Sequence, residues 1–273
     1  MIDKRQIIKF GIFGFGNMGR AIFELLRKSS NASNPSQFYV CSLGKISKKG
    51  VRQLKSLEEL EKICDIIFLC VKPQEFYQIN FTKPSVDKNP ILISIMAGVN
   101  LKNIEKITGC RKIVRAMPNL PLQIGKGFTG WHANKKYFSK KELGLVKDIF
   151  SFFGKSIFVF QEEKIDAITA ISGSGPAYVF LFIDALNKSA ISLGFSRSQA
   201  EEIVMETVSG SVEYLRSLKK TDIGGLINKV KSKKGTTEAA FDDLNLKLFY
   251  KKWESAIKKA RSRAEEISSY EIK

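Results

Sequence analysis

The sequence predicts two domains: an α/β domain with a mostly parallel, doubly wound sheet over residues 1–161, and an all-helical domain over residues 162–273. In the first part, short runs of β-branched and apolar residues alternate with helical patterns. This order is typical of a parallel sheet covered by helices on both faces. After Gln161, apolar residues recur at helical spacing and no convincing strand pattern appears. A length of 273 residues also suits two domains.

A glycine-rich loop follows the first predicted strand, residues 7–13, and precedes a helix predicted over residues 18–28. Gly14 permits the tight turn, Gly16 lets the backbone approach phosphates, and Gly19 lets the helix pack on the strand. The free N–H groups and the dipole of the helix N-terminus then meet negative charge. The loop therefore predicts binding of a dinucleotide pyrophosphate, and a plain structural turn is the alternative.

The other elements of the first domain alternate in the same way. Strands are predicted over residues 38–42, 65–71, 90–98, 112–117 and 156–160, and helices over residues 57–63, 101–107 and 139–153. Ser56 and Ser139 are suited to cap the helices that follow them. Pro118 and Pro121 end the strand before them.

Three turns follow predicted strands, and ligands of such sheets bind at the carboxyl ends of the strands. They are residues 71–74, residues 97–98 and residues 117–119. We therefore expect Lys72 and Asn119 to face a ligand, with ordinary turn chemistry as the alternative.

The loop after the second strand favours NADP over NAD. A carboxylate there would bind the ribose 2′-hydroxyl of NAD, and residues 40–49 contain no Asp or Glu. They contain instead hydroxyl and amino groups suited to a 2′-phosphate, namely Ser42, Lys45, Ser47, Lys48 and Lys49. A solvated basic loop is the alternative.

The second domain contains two unusual segments. Helices are predicted over residues 163–171, 176–193, 198–218, 223–230, 236–244 and 246–267. Residues 172–178 (SGSGPAY) separate two apolar helices, which predicts a ligand-facing helix break or, alternatively, a plain helix–helix corner. Ser232, Gly235, Thr236 and Thr237 precede or open another helix, which predicts an anion site or, alternatively, a simple N-cap.

Composition argues against several classes of protein. The net charge of +18 comes from lysines spread along the chain, so we predict no nucleic-acid partner. No apolar run reaches the roughly 18 residues of a membrane span, and strand and loop directly follow the charged start. We therefore expect a cytoplasmic protein. The four cysteines form no C-x-x-C pair and His132 is the single histidine, so no metal site is predicted.

Together these segments resemble the pyrroline-5-carboxylate reductase family, over essentially the whole chain. The resemblance rests on the glycine loop, residues 71–73, residues 115–119, residues 171–178 and residues 235–237. It implies a Rossmann domain followed by an all-α dimerisation domain, with homodimers that often form larger rings of dimers. It also implies NADPH, and sometimes NADH, as the reductant of a small-molecule substrate, the cyclic imine 1-pyrroline-5-carboxylate, to L-proline.

The resemblance also implies roles for individual residues. Cofactor contacts would come from Gly14, Phe15, Gly16, Asn17, Met18, Ser42, Cys70, Val71, Lys72, Pro73, Ala97 and Asn119. Ser232, Gly235, Thr236 and Thr237 would hold the substrate carboxylate, with Ser174 nearby and Glu162 near the substrate ring. Thr237 is the candidate catalytic hydroxyl, and one active site could combine residues of two chains.

One departure from the family pattern concerns Lys234, where the family usually has a glycine. If the backbone there needs a positive φ, we expect a strain of about 1 kcal/mol or more. Two further functions stay open at this point. One is a non-catalytic nucleotide-sensing or regulatory paralogue, and the other is a reductase of a related imine or hydroxyacid.

Overall fold

The structure is a computed structural model and describes residues 7–30, 36–79 and 88–268. Two compact units make up the chain. The first runs to Ser174 and includes the segment from Ala260 onward, and the second is Gly175–Lys259.

The first unit contains an eight-stranded sheet. Its strands are β1 (Ile8–Phe13), β2 (Ser36–Cys41), β3 (Val51–Leu54), β4 (Ile66–Leu69), β5 (Ile91–Ser94), β6 (Ile113–Pro118), β7 (Gly127–Ala133) and β8 (Gly154–Phe158). The order across the sheet is β3-β2-β1-β4-β5-β6-β7-β8. Every neighbouring pair is parallel except β6 and β7. The predicted mostly parallel sheet is confirmed.

Two strands, β3 and β7, were not expected. In β3 the central residues are polar, and only its two ends are apolar. In β7 two glycines weaken the strand pattern, yet each is required by close packing. A Cβ on Gly127 would lie 2.8 Å from the backbone of Leu122, and one on Gly130 would overlap the side chain of Ile168. The sequence alone does not contain these contacts.

Both faces of the sheet are buried, as the continuous apolar strands predict. In β4, Ile66 and Phe68 belong to one apolar cluster, and Ile67 and Leu69 belong to another. The alternation follows from successive side chains pointing to opposite faces. The helices of this unit are α1 (Asn17–Ser29), α2 (Leu57–Ile63), α3 (Pro73–Tyr77), α4 (Leu101–Thr108), α5 (Lys140–Phe153) and α6 (Lys164–Ile168).

Helices make up the second part of the chain, with no strand among its described residues after Phe158. They are α7 (Gly175–Ser192), α8 (Arg197–Ser217), α9 (Ile223–Val230), α10 (Thr236–Leu244) and α11 (Leu246–Ser268). Gly194 has a φ of 93° just beyond α7, and Ser196 caps α8. The predicted all-helical character is confirmed.

One helical stretch, Lys164–Ser192, is apolar. Its most apolar 18-residue window has a mean hydropathy of 1.3, and 22% of that window is buried. By length and composition alone it could cross a membrane, whereas the sequence predicted no apolar run of that length. Large side chains of α7 are exposed in the single chain, among them Leu181, which is 64% exposed, and Phe182.

Glu61 is a buried acid on α2. It is 4% exposed, and the Cys110 thiol donates to its Oε1 at 3.6 Å. Burial raises the pKa of Glu61 from 4.5 to about 7. A group whose pKa is raised in the folded state favours folding fully at a pH below its unfolded-state pKa. This contribution to stability is lost as the pH rises through its folded-state pKa.

Replacing Glu61 by Gln is therefore expected to stabilise the protein at alkaline pH. At pH 8 the free energy of unfolding should rise by about 2–3 kcal/mol, and below pH 4.5 the two proteins should be similar. Thermal melts across this range measure the effect. Glu163→Gln, at an exposed position, is the control and should show no such pH dependence. Parallel pH profiles for wild type and Glu61→Gln would contradict the prediction.

Candidate functional site

The glycine loop has the geometry of a phosphate cradle. Gly14 has a φ of 94°, and a Cβ there would lie 2.7 Å from the backbone nitrogen of Val71. A Cβ on Gly19 would overlap the carbonyl oxygen of Gly14. In contrast, Gly16 has a φ of −74° and nothing within 4 Å of its Cβ position. Gly14 and Gly19 are therefore glycines because a Cβ would clash with neighbouring protein atoms, whereas Gly16 leaves open space next to the loop.

The helix that begins at this loop presents free backbone donors. Gly16 is the N-cap of α1 and makes no side-chain cap bond, and the first turn, which includes Asn17 and Met18, contains no acidic residue. The N–H groups of a helix N-terminus favour an anion. Phe15 is 5% exposed, and its ring packs edge-on against Phe23.

The other predicted cofactor residues follow the strands beside β1. Cys70 comes directly after β4, and its N–H donates to the Phe13 carbonyl at 2.7 Å. Lys72 caps α3 and Pro73 begins it, Ala97 lies in the turn after β5, and Asn119 follows β6. Because β1, β4, β5 and β6 are consecutive and parallel, these turns lie at one edge of the sheet.

The loop after β2 forms a small basic cavity with the glycine loop. Its volume is about 110 Å³, and its lining is Phe15, Arg20, Glu24, Lys45, Ile46, Ser47 and Lys48. Lys48 pairs with Glu24 at 2.5 Å and lowers the pKa of that carboxyl. The Arg20 Nε donates to the Phe15 carbonyl at 3.0 Å. Arg20 was not among the residues predicted from the sequence; a cation next to Gly19 in the first turn of the helix was the available signal.

A buried ion cluster lies on β6. Arg115 is 1% exposed, and its guanidinium donates to Glu162 Oε1 at 3.2 Å and to Asp166 Oδ1 at 2.5 Å. The backbone N–H of Leu101, the first residue of α4, donates to the same Glu162 oxygen at 2.8 Å. Glu162 therefore joins β6 to the start of α4. Its role near the substrate ring stays a prediction.

The helix break predicted at residues 172–178 is wrong: the chain stays helical and contains a wide, π-helical turn. Thr169–Gly173 is π-helical, the Ser174 N–H donates to the Thr169 carbonyl at 2.9 Å, and Ser174 keeps helical dihedrals. The small residues allow this turn to lie close to β6, because a Cβ on Gly173 would lie 2.5 Å from the Met117 methyl carbon. Such turns are frequent at functional sites.

One hydrogen bond joins this turn to the ligand edge of the sheet. The Asn119 side-chain amide donates to Ser172 Oγ at 3.2 Å, and its oxygen accepts the Phe128 N–H at 2.8 Å. The structure thus brings the residues just before Ser174 to the end of β6.

The loop before α10 belongs to the second unit. Gly235 caps α10, its N–H donates to the Ser232 carbonyl at 3.0 Å, and Thr236 and Thr237 open the helix. Lys234 has a φ of 59°, so the backbone at this position does adopt the positive φ on which the expected strain depends. The Lys234 N–H donates to Glu238 Oε2 at 2.6 Å, which lowers the pKa of that carboxyl.

All four cysteines are free thiols. Burial raises the pKa of Cys41 to about 11 and the pKa values of Cys64 and Cys110 to about 12, and it raises the pKa of Cys70 as well. The raised pKa of Cys70 disfavours a thiolate at the ligand edge. Among the described residues, no group of three His, Cys, Asp or Glu is placed to hold a metal ion.

The comparisons with known proteins cover both parts of the chain. A family model for pyrroline-5-carboxylate reductase dimerisation matches residues 162–267, and one described as NADP oxidoreductase coenzyme F420-dependent matches residues 9–98. A pyrroline-5-carboxylate reductase of Escherichia coli K12 is 34% identical over 268 residues, which cover 95% of this chain and 98% of the relative. One of Aquifex aeolicus VF5 is 34% identical over 238 residues, which cover 84% and 86%.

A solved structure agrees with these relatives. The crystal structure of Plasmodium falciparum pyrroline carboxylate reductase with NADP bound matches with a TM-score of 0.84 at 30% identity. The match covers 96% of this chain and 98% of that one.

Proposed function

The chain belongs to the pyrroline-5-carboxylate reductase family, and on that premise we propose how its residues perform the reaction. It is an NAD(P)-dependent oxidoreductase that reduces 1-pyrroline-5-carboxylate to L-proline, the final step of proline biosynthesis, with NADPH as cofactor. The observation that carries this function is 34% identity to the Escherichia coli enzyme across 95% of the chain.

The residues at the ligand edge fit NADPH. Among the three loop glycines, only Gly16 has open space where a Cβ would be, and the pyrophosphate needs that space. The basic cavity beside the loop suits a 2′-phosphate. We assign the cofactor to Gly14, Phe15, Gly16, Asn17, Met18, Ser42, Cys70, Val71, Lys72, Pro73, Ala97 and Asn119.

Orientation is the main task of the protein. When bound, NADPH supplies the hydride that reduces the C=N carbon of the substrate ring. A protonated imine is already electrophilic, so the chain needs to hold the ring in place and does not need a strong acid. We assign the substrate carboxylate to Ser232, Gly235, Thr236 and Thr237, and the surroundings of the ring to Glu162 and Ser174.

Thr237 is the residue for which we expect a catalytic effect. Replacing Thr237 by Ala should lower the rate of proline formation at least tenfold, because a hydroxyl that orients the substrate is lost. The dissociation constant of NADPH should not change. Thr237→Ser keeps the hydroxyl and is the control, with activity close to wild type. Unchanged turnover by Thr237→Ala would exclude this role.

One assay separates the proposed function from its alternatives. NADPH oxidation is followed with 1-pyrroline-5-carboxylate and then repeated with NADH, and NADP⁺ reduction is followed with hydroxyacids, which donate the hydride. Oxidation with the pyrroline substrate supports the reductase. Turnover of hydroxyacids alone would indicate a related dehydrogenase, and no turnover in any of these assays would indicate a non-catalytic paralogue.

We further propose the domain boundary, the assembly and the location. Residues 1–161 form the NADP-binding domain, and residues 162–273 form the substrate and dimerisation domain. The matched dimerisation family supports a homodimer, and the exposed apolar side chains of α7 give it a surface to bury. We propose that this dimer is cytoplasmic, lies outside the membrane and assembles into larger rings.

A further inference from the structure

The loop between β2 and β3 is unusually short for its place in the fold. The two strands are parallel, and a parallel connection normally needs a dozen or more residues and a helix. Here residues 42–50 make the connection, with neither helix nor strand among them. The loop backbone makes hydrogen bonds to a side chain outside the loop instead.

Gln53 on β3 makes these three hydrogen bonds. Its Nε2 donates to the Ser42 carbonyl at 3.3 Å and to the Gly44 carbonyl at 2.6 Å, and its Oε1 accepts the Ile46 N–H at 2.9 Å. The side-chain amide of Gln53 thus holds residues 42–46, the first part of the loop, at both ends. Gly44, between them, has a φ of 78°.

The part of the loop that follows is one wall of the basic cavity. Lys45, Ile46, Ser47 and Lys48 line it from this side, and Arg20 is among the residues on the other side. The lining contains three positive side chains, those of Arg20, Lys45 and Lys48. Its one carboxylate is that of Glu24, which is paired with Lys48. A dianionic phosphate beside the glycine loop matches this charge.

We propose that Gln53 is a positioning residue that selects NADPH over NADH by holding this wall in place. The proposal rests on the proposed function, since it concerns the same cofactor. Gln53 is not among the residues that line the basic cavity. It acts through the backbone of the loop, so its loss should weaken only the contacts made by the 2′-phosphate.

The test compares Gln53→Met with wild type. Methionine keeps the length of the side chain and removes all three hydrogen bonds. We expect the KM for NADPH to rise about five- to tenfold, with less than a twofold change in the KM for NADH and in kcat. Because Gln53 is exposed, the unfolding temperature should stay close to wild type.

Calorimetry supplies a second readout that does not depend on turnover. Adenosine 2′,5′-bisphosphate should bind Gln53→Met about five- to tenfold more weakly than wild type, and adenosine 5′-monophosphate should bind both equally. Gln37→Ala, a glutamine on β2 whose Oε1 accepts from Tyr39, is the matched control and should match wild type.

The outcomes distinguish the two proposals. Equal weakening of both nucleotides, or no weakening, would overturn the role of Gln53 and leave the reductase function intact. Selective weakening in a protein that does not reduce the pyrroline substrate would support Gln53 and overturn the function.

Discussion

Replacing Gly19 by Ala is expected to weaken NADPH binding at least 100-fold. The new Cβ would overlap the Gly14 carbonyl oxygen, and backbone cannot move aside as a flexible side chain can. The start of α1 would shift, and its N–H groups would no longer point at the pyrophosphate. Titration calorimetry with NADPH measures the loss, and the unfolding temperature of the protein without cofactor should fall as well.

Gly16→Ala is the matched control within the same loop. Its φ of −74° suits alanine, and nothing lies within 4 Å of the Cβ position. The protein without cofactor should therefore melt like wild type, while the methyl group still obstructs the approach of the phosphates. A Gly16→Ala protein with normal NADPH affinity would contradict the placement of the pyrophosphate.

The second large effect concerns Arg115. Arg115→Met should reduce the free energy of unfolding by about 3–5 kcal/mol, because it leaves the buried Asp166 carboxylate and that of Glu162 without their cation. In a chain of this length that corresponds to a fall of roughly 10 °C in unfolding temperature. Denaturant melts and calorimetry measure the change.

Arg111→Met is the control for the arginine side chain itself. Arg111 is exposed and pairs with Glu105 at 3.5 Å, so its loss should cost less than about 1 kcal/mol. Replacing Arg115, Glu162 and Asp166 together by Met, Gln and Asn should recover part of the loss, since no buried charge then stays unpaired. Similar costs for Arg111→Met and Arg115→Met would refute the proposed burial effect.

Features that depend on neighbouring residues were predictable from the sequence. The glycine loop is one, since the strand, the turn and the helix are adjacent and each glycine has a separate steric reason. The alternating pattern of the first domain and the helical pattern of the second are others. The positive φ at Lys234 was anticipated through the resemblance to the family.

Features that depend on distant pairings were not predictable. Arg115 meets Glu162 and Asp166, which lie 47 and 51 positions away. The glycines of β7 are explained only by the side chains that pack on them. The wide turn at Thr169–Gly173 was mistaken for a break because small residues weaken a helix in isolation, while close packing on β6 stabilises it here.

The four cysteines give the enzyme a chemical property unrelated to catalysis. Oxidants and alkylating agents react with thiolates, and burial raises the pKa of each of the four thiols above its usual value. Three of the thiols, those of Cys41, Cys64 and Cys110, are buried, and Cys70 is partly buried. A cysteine introduced on the surface of the protein is therefore expected to react before the native four, which would make it a selective attachment point for a spectroscopic label.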